Sequence, residues 1–234
     1  MSFARWPVAL GLALTLAGTA GAEAPPVAND VGSYDLGLLL GNQLFNNGLQ
    51  AALARADFLR GLNEAMEGKT LSVSQRDTAQ QFARAARTAL GERNARAAHD
   101  FLAKNGQAPQ VRTTASGLQY RVLEEGAAQA PSPGPTDQVN LRYTASLADG
   151  TVLDRSDAHA QPPVFRLNSV IPAWREALLA MKPGAKWRLF VGPELGYGMD
   201  APPPLPPGAL IIYELELLQV DSTPQRAPQP PRGH

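Results

Sequence analysis

Apolar residues repeat along this chain with two different periods, and the change between them falls near residue 110. In "NDVGSYDLGLLLGNQLFNNGL" the residues Val31, Tyr34, Leu38 and Phe45 lie near helical spacing, and Gly48 offers a stop. A second helix is expected from Asp57, a candidate N-cap, to Gly68, burying Phe58, Leu62 and Met66. Ser72 and Gln75 then have capping-box spacing at the head of a third helix, which runs past Gly91 to about Lys104. At 1.5 Å per residue this helix of roughly 30 residues would span about 45 Å. Its middle, "RAARTALGERNARAAHD", is rich in alanine and arginine, so most of its surface is expected to face water. That pattern favours a stalk between two domains over a helix lying on its own domain. The first two helices are too short to bury much core alone, which predicts that they interlock with a second copy.

Beyond residue 110 the period becomes two. "GLQYRVLEEG" alternates Leu118, Tyr120 and Val122 with Gln119 and Arg121, and "QVNLRYTASLADG" alternates Val139, Leu141, Tyr143, Ala145 and Leu147 with polar neighbours. Asp149-Gly150 is a hairpin signal that returns "TVLDRS" antiparallel. With "KWRLFV" and "LIIYELELLQV", where Ile211, Tyr213, Leu215 and Leu217 share a face, about five antiparallel strands are expected. Between them a short helix has Pro172 in its first turn, where a missing N–H costs little, and ends before Pro183-Gly184. The fold class is therefore α+β: a C-terminal curved antiparallel sheet wrapped over one short helix carrying Trp174, Leu178 and Met181, preceded by an all-α part with a long connecting helix.

Composition narrows the function. The 234 residues are 44% apolar, enough for one or two domains, and 21 basic side chains balance 21 acidic ones. Neither nucleic acid nor an anionic membrane surface is thereby suggested as a partner. The N-terminus has Arg5, an apolar stretch from about Val8 to Leu16 and the small residues Ala20-Gly21-Ala22, the pattern of a signal peptide over residues 1–22. The apolar stretch is too short to span a bilayer, so no integral membrane segment is expected. Export to the periplasm follows, with the outer surface as a second destination. Absence of cysteine excludes disulfides and thiolipid anchors. The divisions read as a helical dimerisation region at 23–72, the stalk helix at 73–110, the sheet domain at 111–221 and a disordered proline-rich tail at 222–234.

Reactive chemistry is sparse. His99, His159 and His234 fall on the stalk, a loop and the tail, suggesting neither a triad nor a metal cluster. "GPELGYG" follows a strand without opening a helix, unlike a phosphate cradle.

The stretches "YTASLADGTVLDRS", "FRLNSVIPAW", "ALLAMKPGAKWRLFVGPELGYG" and "LPPGALIIYELELL" occur in the order and with nearly the spacing of the FKBP-type peptidyl-prolyl cis–trans isomerases, which this segment from Val139 to Leu218 resembles. "SYDLGLLLGNQL", the long arginine-alanine helix and "SGLQYRVLEEG" resemble the N-terminal dimerisation domain of the exported Mip-like and FkpA-like members. Together the resemblances span almost the whole chain after residue 22.

That resemblance implies an isomerase that needs no cofactor and no metal. Rotation about an X–Pro amide meets a barrier of about 18–20 kcal/mol, and the planar amide is the more dipolar form. A dry pocket of aromatic faces solvates the planar form worse than water does and accepts the twisted one, so the barrier falls without a nucleophile. By resemblance, Trp174 would be the floor under the prolyl ring, and Tyr143, Leu153, Phe165, Val170, Ile171 and Tyr213 the walls. The Ile171 N–H would bind a substrate carbonyl, and the Tyr197 hydroxyl the carbonyl before the proline. Asp154 would accept a hydrogen bond from Tyr143 or orient the twisted amide. Taken singly, Trp174 and Tyr143 read as core aromatics and Asp154 as a turn former; only the ordered set implies a pocket. Implied partners are unfolded or folding exported proteins with X–Pro bonds, a second copy of the chain, and FK506-like macrolides. A holdase chaperone or surface interaction module with a weak or inactive pocket is the alternative.

Three positions depart from the family pattern. Leu153 replaces the usual phenylalanine after the hairpin, removing an aromatic face. Ala173 replaces the glycine before the tryptophan, at small cost if the backbone there is helical. "GMDAPPPLPP", residues 198–207, is proline-rich where the family has a glycine-rich flap, and about one residue shorter; a stiffer flap is expected.

Overall fold

The structure, a computed structural model, describes residues 30–158, 161–203 and 205–221; the signal-peptide expectation at 1–22, the tail at 222–234 and His159 lie outside them. The described residues divide between Asn42 and Gln43 into two compact units. In the first, the helix α1 (Asp30–Asn46) begins, and Tyr34, Leu36, Leu38, Leu39 and Leu40 are all exposed.

The second unit starts inside α1. Gly48, at φ 72, ends the helical path in the left-handed region that glycine enters without a Cβ penalty. Helix α2 (Arg55–Met66) begins ahead of Asp57, which is not its cap but sits in the first turn, ion-paired to Arg60 at 2.8 Å. Its carboxylate there faces the positive end of the helix dipole. Leu62 and Met66 are 39% and 80% exposed, so their expected burial does not occur within one chain. A 12-residue helix with no second layer over this face has nothing to bury them against.

Helix α3 (Val73–Asn105, 33 residues) opens with the expected capping box: the Gln75 N–H donates to Ser72 Oγ at 3.2 Å, and the Ser72 N–H donates to Gln75 Oε1 at 3.0 Å. Most of its surface is exposed, but one stripe is not. Ala86, Gly91 and Ala98 are buried, and Arg87, Asn94, Phe101 and Asn105 are half-buried on the same helical face. This stripe lies on the sheet domain. Phe101 meets Phe190 with ring centroids 6.0 Å apart. Gln119, which strict alternation assigns to the polar side of its strand, is instead buried at 6% exposure: its Nε2 donates to Leu102 O at 2.8 Å and its Oε1 accepts from Asn105 Nδ2 at 2.9 Å. The helix covers the strand, and its own polar groups satisfy the amide.

The sheet has seven strands rather than about five, the extra ones being short: β1 (Arg112–Thr113), β2 (Gln119–Glu125), β3 (Gln138–Leu147), β4 (Val152–Arg155), β5 (Val164–Arg166), β6 (Ala185–Val191) and β7 (Ile211–Asp221). Spatial order is β1-β2-β6-β7-β3-β4, all antiparallel, with β5 on the same edge of β3 that β4 uses further along. Bulges at Val122/Glu124, Asn140/Leu141 and Ala145/Ser146 increase local twist and let the sheet curl. Inside the curl lies α4 (Pro172–Ala180), which turns Ala173, Trp174, Ala177 and Leu178 inward against Leu141, Leu189, Leu215 and Leu217. On the other face Arg142 pairs with Glu216, and Glu214 with both Arg188 and Lys186, so the alternation charged-out, apolar-in is carried across three strands.

Candidate functional site

Strand register alone brings most of the site to one face. Ala145 of β3 faces Asp154 of β4 on one side and Tyr213 of β7 on the other. Tyr143, two positions back, shares that face and lies diagonal to both. Val139, a further even step back, faces Phe165 of β5. Four side chains from four strands thus point to the side where α4 presents Trp174 in its first turn.

The geometry is an aromatic box. Trp174, 6% exposed, receives Tyr143, Phe165 and Tyr213 edge-on, at centroid distances of 5.2, 5.3 and 5.2 Å and interplanar angles of 66°, 83° and 83°. Tyr143 and Phe165 also meet edge-on at 5.9 Å. These are the arrangements that a ring quadrupole favours. The Tyr143 hydroxyl donates to Asp154 Oδ2 at 2.7 Å, while Asp154 Oδ1 accepts the Arg155 N–H at 2.8 Å. The carboxylate is held by both oxygens. Leu153, Val170 and Ile171 are half-buried against the same cluster. Ile171 is the N-cap of α4, extended at φ −59, ψ 153, and its N–H makes no backbone hydrogen bond among the described residues. Tyr197 is 40% exposed, and its hydroxyl interacts with Tyr213 and feels the charge of Asp154. Tyr143, Leu153, Phe165, Val170, Ile171, Trp174 and Tyr213 thus belong to one packed cluster, to which Asp154 is tied through Tyr143 and Tyr197 through Tyr213. Ser156 was not among them: this buried residue accepts the Tyr143 N–H on its Oγ at 2.9 Å and fixes that ring's strand. Leu195 and Leu205 also pack on the cluster. A serine in a polar turn and leucines among prolines carry no signal that would have marked them.

Inside the box the Trp174 Nε1 is buried and has no hydrogen-bond partner among the described residues. Burial raises the pKa of Tyr143, and its hydrogen bond to Asp154 adds to the rise. Burial likewise raises Tyr213 and Tyr197, the latter partly offset by its interaction with Tyr213. The hydroxyls thus remain neutral donors throughout the ordinary pH range. A proton held more tightly in the folded state than in the unfolded one stabilises the fold below the unfolded tyrosine value, about 10, and that contribution is lost as pH rises above it. Thermal midpoints recorded from about pH 8 to pH 11 are expected to fall at the alkaline end, and Tyr143→Phe is expected to make that fall shallower. An equally steep fall in the variant would show that Tyr143 does not contribute to it.

The fold is thus a curled sheet closed over one helix, with four aromatic rings clustered at that helix's first turn. The family description "FKBP-type peptidyl-prolyl cis-trans isomerase" matches residues 130–218, and "Domain amino terminal to FKBP-type peptidyl-prolyl isomerase" matches residues 29–122. The chain is 38% identical over 195 residues to the FKBP-type 22 kDa peptidyl-prolyl cis-trans isomerase of Escherichia coli strain K12, covering 80% of this chain and 93% of that protein. It is 35% identical to the peptidyl-prolyl cis-trans isomerase Mip of Coxiella burnetii, covering 90% and 95% respectively. The crystal structure of FkpA from Escherichia coli aligns with a TM-score of 0.60 at 30% identity, over 84% of this chain and 99% of that one. This chain belongs to the FKBP-type peptidyl-prolyl cis–trans isomerases.

Proposed function

We propose that the aromatic cleft isomerises X–Pro bonds in other exported proteins, and that Trp174 ringed by Tyr143, Phe165 and Tyr213 is the observation that carries this reading. The prolyl ring would lie on the indole, away from water. There the dipolar planar amide loses solvation that the twisted amide does not need, which lowers the barrier to rotation. The Ile171 N–H would bind a substrate carbonyl, and the Tyr197 hydroxyl the carbonyl before the proline. Asp154 would hold the Tyr143 wall through its hydrogen bond and orient the twisted amide. Leu153 keeps that side apolar without an aromatic face. An FK506-like macrolide would occupy the same cleft and compete with peptide.

The cis-to-trans rate of a short peptide with an apolar residue before proline tests this, using residues 23–234 and the Tyr197→Phe variant. Acceleration by the parent that falls about 3- to 10-fold in the variant is expected, the rate equivalent of one neutral hydrogen bond. A parent rate equal to the uncatalysed one would refute the reading.

Export is supported by the sequence of residues 1–22 and by a match to the "Outer membrane protein MIP" of Legionella longbeachae, 32% identical over 90% of this chain. No helix among the described residues is long and apolar enough to cross a membrane. A homodimer through the helical part accounts for Leu59, Leu62 and Met66, which are exposed, and for an open groove lined by Leu44, Leu49, Leu53, Phe58 and Phe82. The same apolar surface favours a second activity, holding unfolded chains. Suppressed aggregation of a denatured client that persists in Tyr197→Phe would separate that holdase activity from isomerisation.

A further inference from the structure

The flap that departs most from the family's sequence pattern does not stand free. Its base is closed by the Gly208 N–H donating to Gly198 O at 2.9 Å, and its described part lies against α3. Prolines supply no N–H, so the carbonyls of such a loop must find donors elsewhere. Two of them find donors on α3. Arg87 Nη2 donates to Ala201 O, and Asn94 Nδ2 donates to Pro207 O at 2.8 Å. Ala201 and Pro207 are buried, so both carbonyls would lack water if the helix donors were removed while the contact stayed closed.

Between these two bonds the backbones nearly touch. A Cβ at Gly208, which has φ +66, would lie 2.2 Å from Gly91 O, and one at Gly91 would meet the Met199 side chain. Arg87, Gly91 and Asn94 recur at helical spacing, on the stripe that α3 turns toward the sheet domain. Arg87 continues the chain of contacts on its far side, since its Nη1 donates to Asn47 Oδ1 at 2.8 Å in the turn after α1.

The flap in turn reaches the cleft at two points. Tyr197 immediately precedes Gly198, and Leu205 packs on the hydrophobic core cluster to which Trp174 and Tyr213 belong. We propose that Arg87 and Asn94 of the long helix are positioning residues for the isomerase: by holding the flap carbonyls of Ala201 and Pro207 they set where Tyr197 and Leu205 stand, and hence how tightly an X–Pro segment is bound. They touch no substrate. Their effect is on binding, so it falls on KM and leaves kcat nearly as it was. The proposal rests on the isomerase reading of the cleft.

Steady-state isomerisation of an X–Pro peptide by the full chain tests it. Arg87→Ala and Asn94→Asp, the latter the same shape with the amide donor removed, are each expected to lower kcat/KM about 3- to 10-fold through a higher KM. Arg87→Lys, which keeps a donor for Ala201, is expected to restore most of the loss. Asn105→Ala removes a bond between the same helix and β2 without touching the flap, and is expected to retain the parent's KM. Circular dichroism and thermal midpoints accompany each variant; should Arg87→Ala not fold, Asn94→Asp with Asn105→Ala decides. An unchanged KM in Asn94→Asp, or an equal rise in Asn105→Ala, would overturn the proposal while leaving the isomerase reading intact. A parent without activity would remove both.

Discussion

Replacing Trp174 by alanine is expected to destabilise the protein by about 3–5 kcal/mol, the range for truncating a buried large aromatic. The indole is 6% exposed, and three rings meet it edge-on. Each such pair adds about 0.5–1.5 kcal/mol beyond area burial, although the three share one ring and do not sum independently. Among the described residues no hydrogen bond is lost with the side chain, since Nε1 has no partner there. Collapse cannot close the space, because the surrounding residues come from four strands fixed by register. For a unit of this size the thermal midpoint should fall by roughly 10 °C. Trp174→Phe keeps a ring and should cost much less. A loss below about 1 kcal/mol in the alanine variant would mean that the box is not packed as described.

Asp154→Ala is the second large effect, and it falls on rate. The carboxylate accepts from the Tyr143 hydroxyl and the Arg155 N–H, so its removal leaves a half-buried phenol without its acceptor and frees one wall of the cleft. A hydrogen bond to a charged group is worth about 1.5–3 kcal/mol, which corresponds to about 10- to 100-fold in kcat/KM if it acts in the transition state. Asp154→Asn retains an acceptor and is expected to retain part of the activity. Peptide isomerisation at equal folded concentration reads the outcome. A parent-like kcat/KM in the alanine variant would reduce Asp154 to a former of the β4 turn.

How much of this was legible beforehand depended on contrast between neighbouring residues. The capping box, the Asp149-Gly150 hairpin and the long alternating strands have strong local signals, and the structure contains them. Strands β1 and β5, of 2 and 3 residues, are too short for any period to register. The docked stripe of α3 was invisible for a different reason. Its members Ala86, Gly91, Asn94 and Ala98 are small or polar, so hydropathy does not separate them from the exposed face. Gln119 misled in the same way, since alternation treats every polar residue as outward. At the site, Tyr143, Asp154, Trp174 and Tyr213 stand on separate elements, and no spacing rule joins them. The family resemblance marked them as a set, and strand register supplies the physical reason that they share a face.

Between β2 and α3 the tie is the Gln119 amide with both its ends engaged, while Phe101 of the same helix packs on Phe190 of β6. If helix and strand part, water takes up Leu102 O, the Asn105 amide and Gln119 alike, so each bond lost costs only about 0.5–1.5 kcal/mol. When they meet again, a slip of one residue along the helix would leave that amide facing the wrong partners. The Gln119 bonds therefore act as a key for the contact rather than as its main hold: weak singly, they fit one register alone.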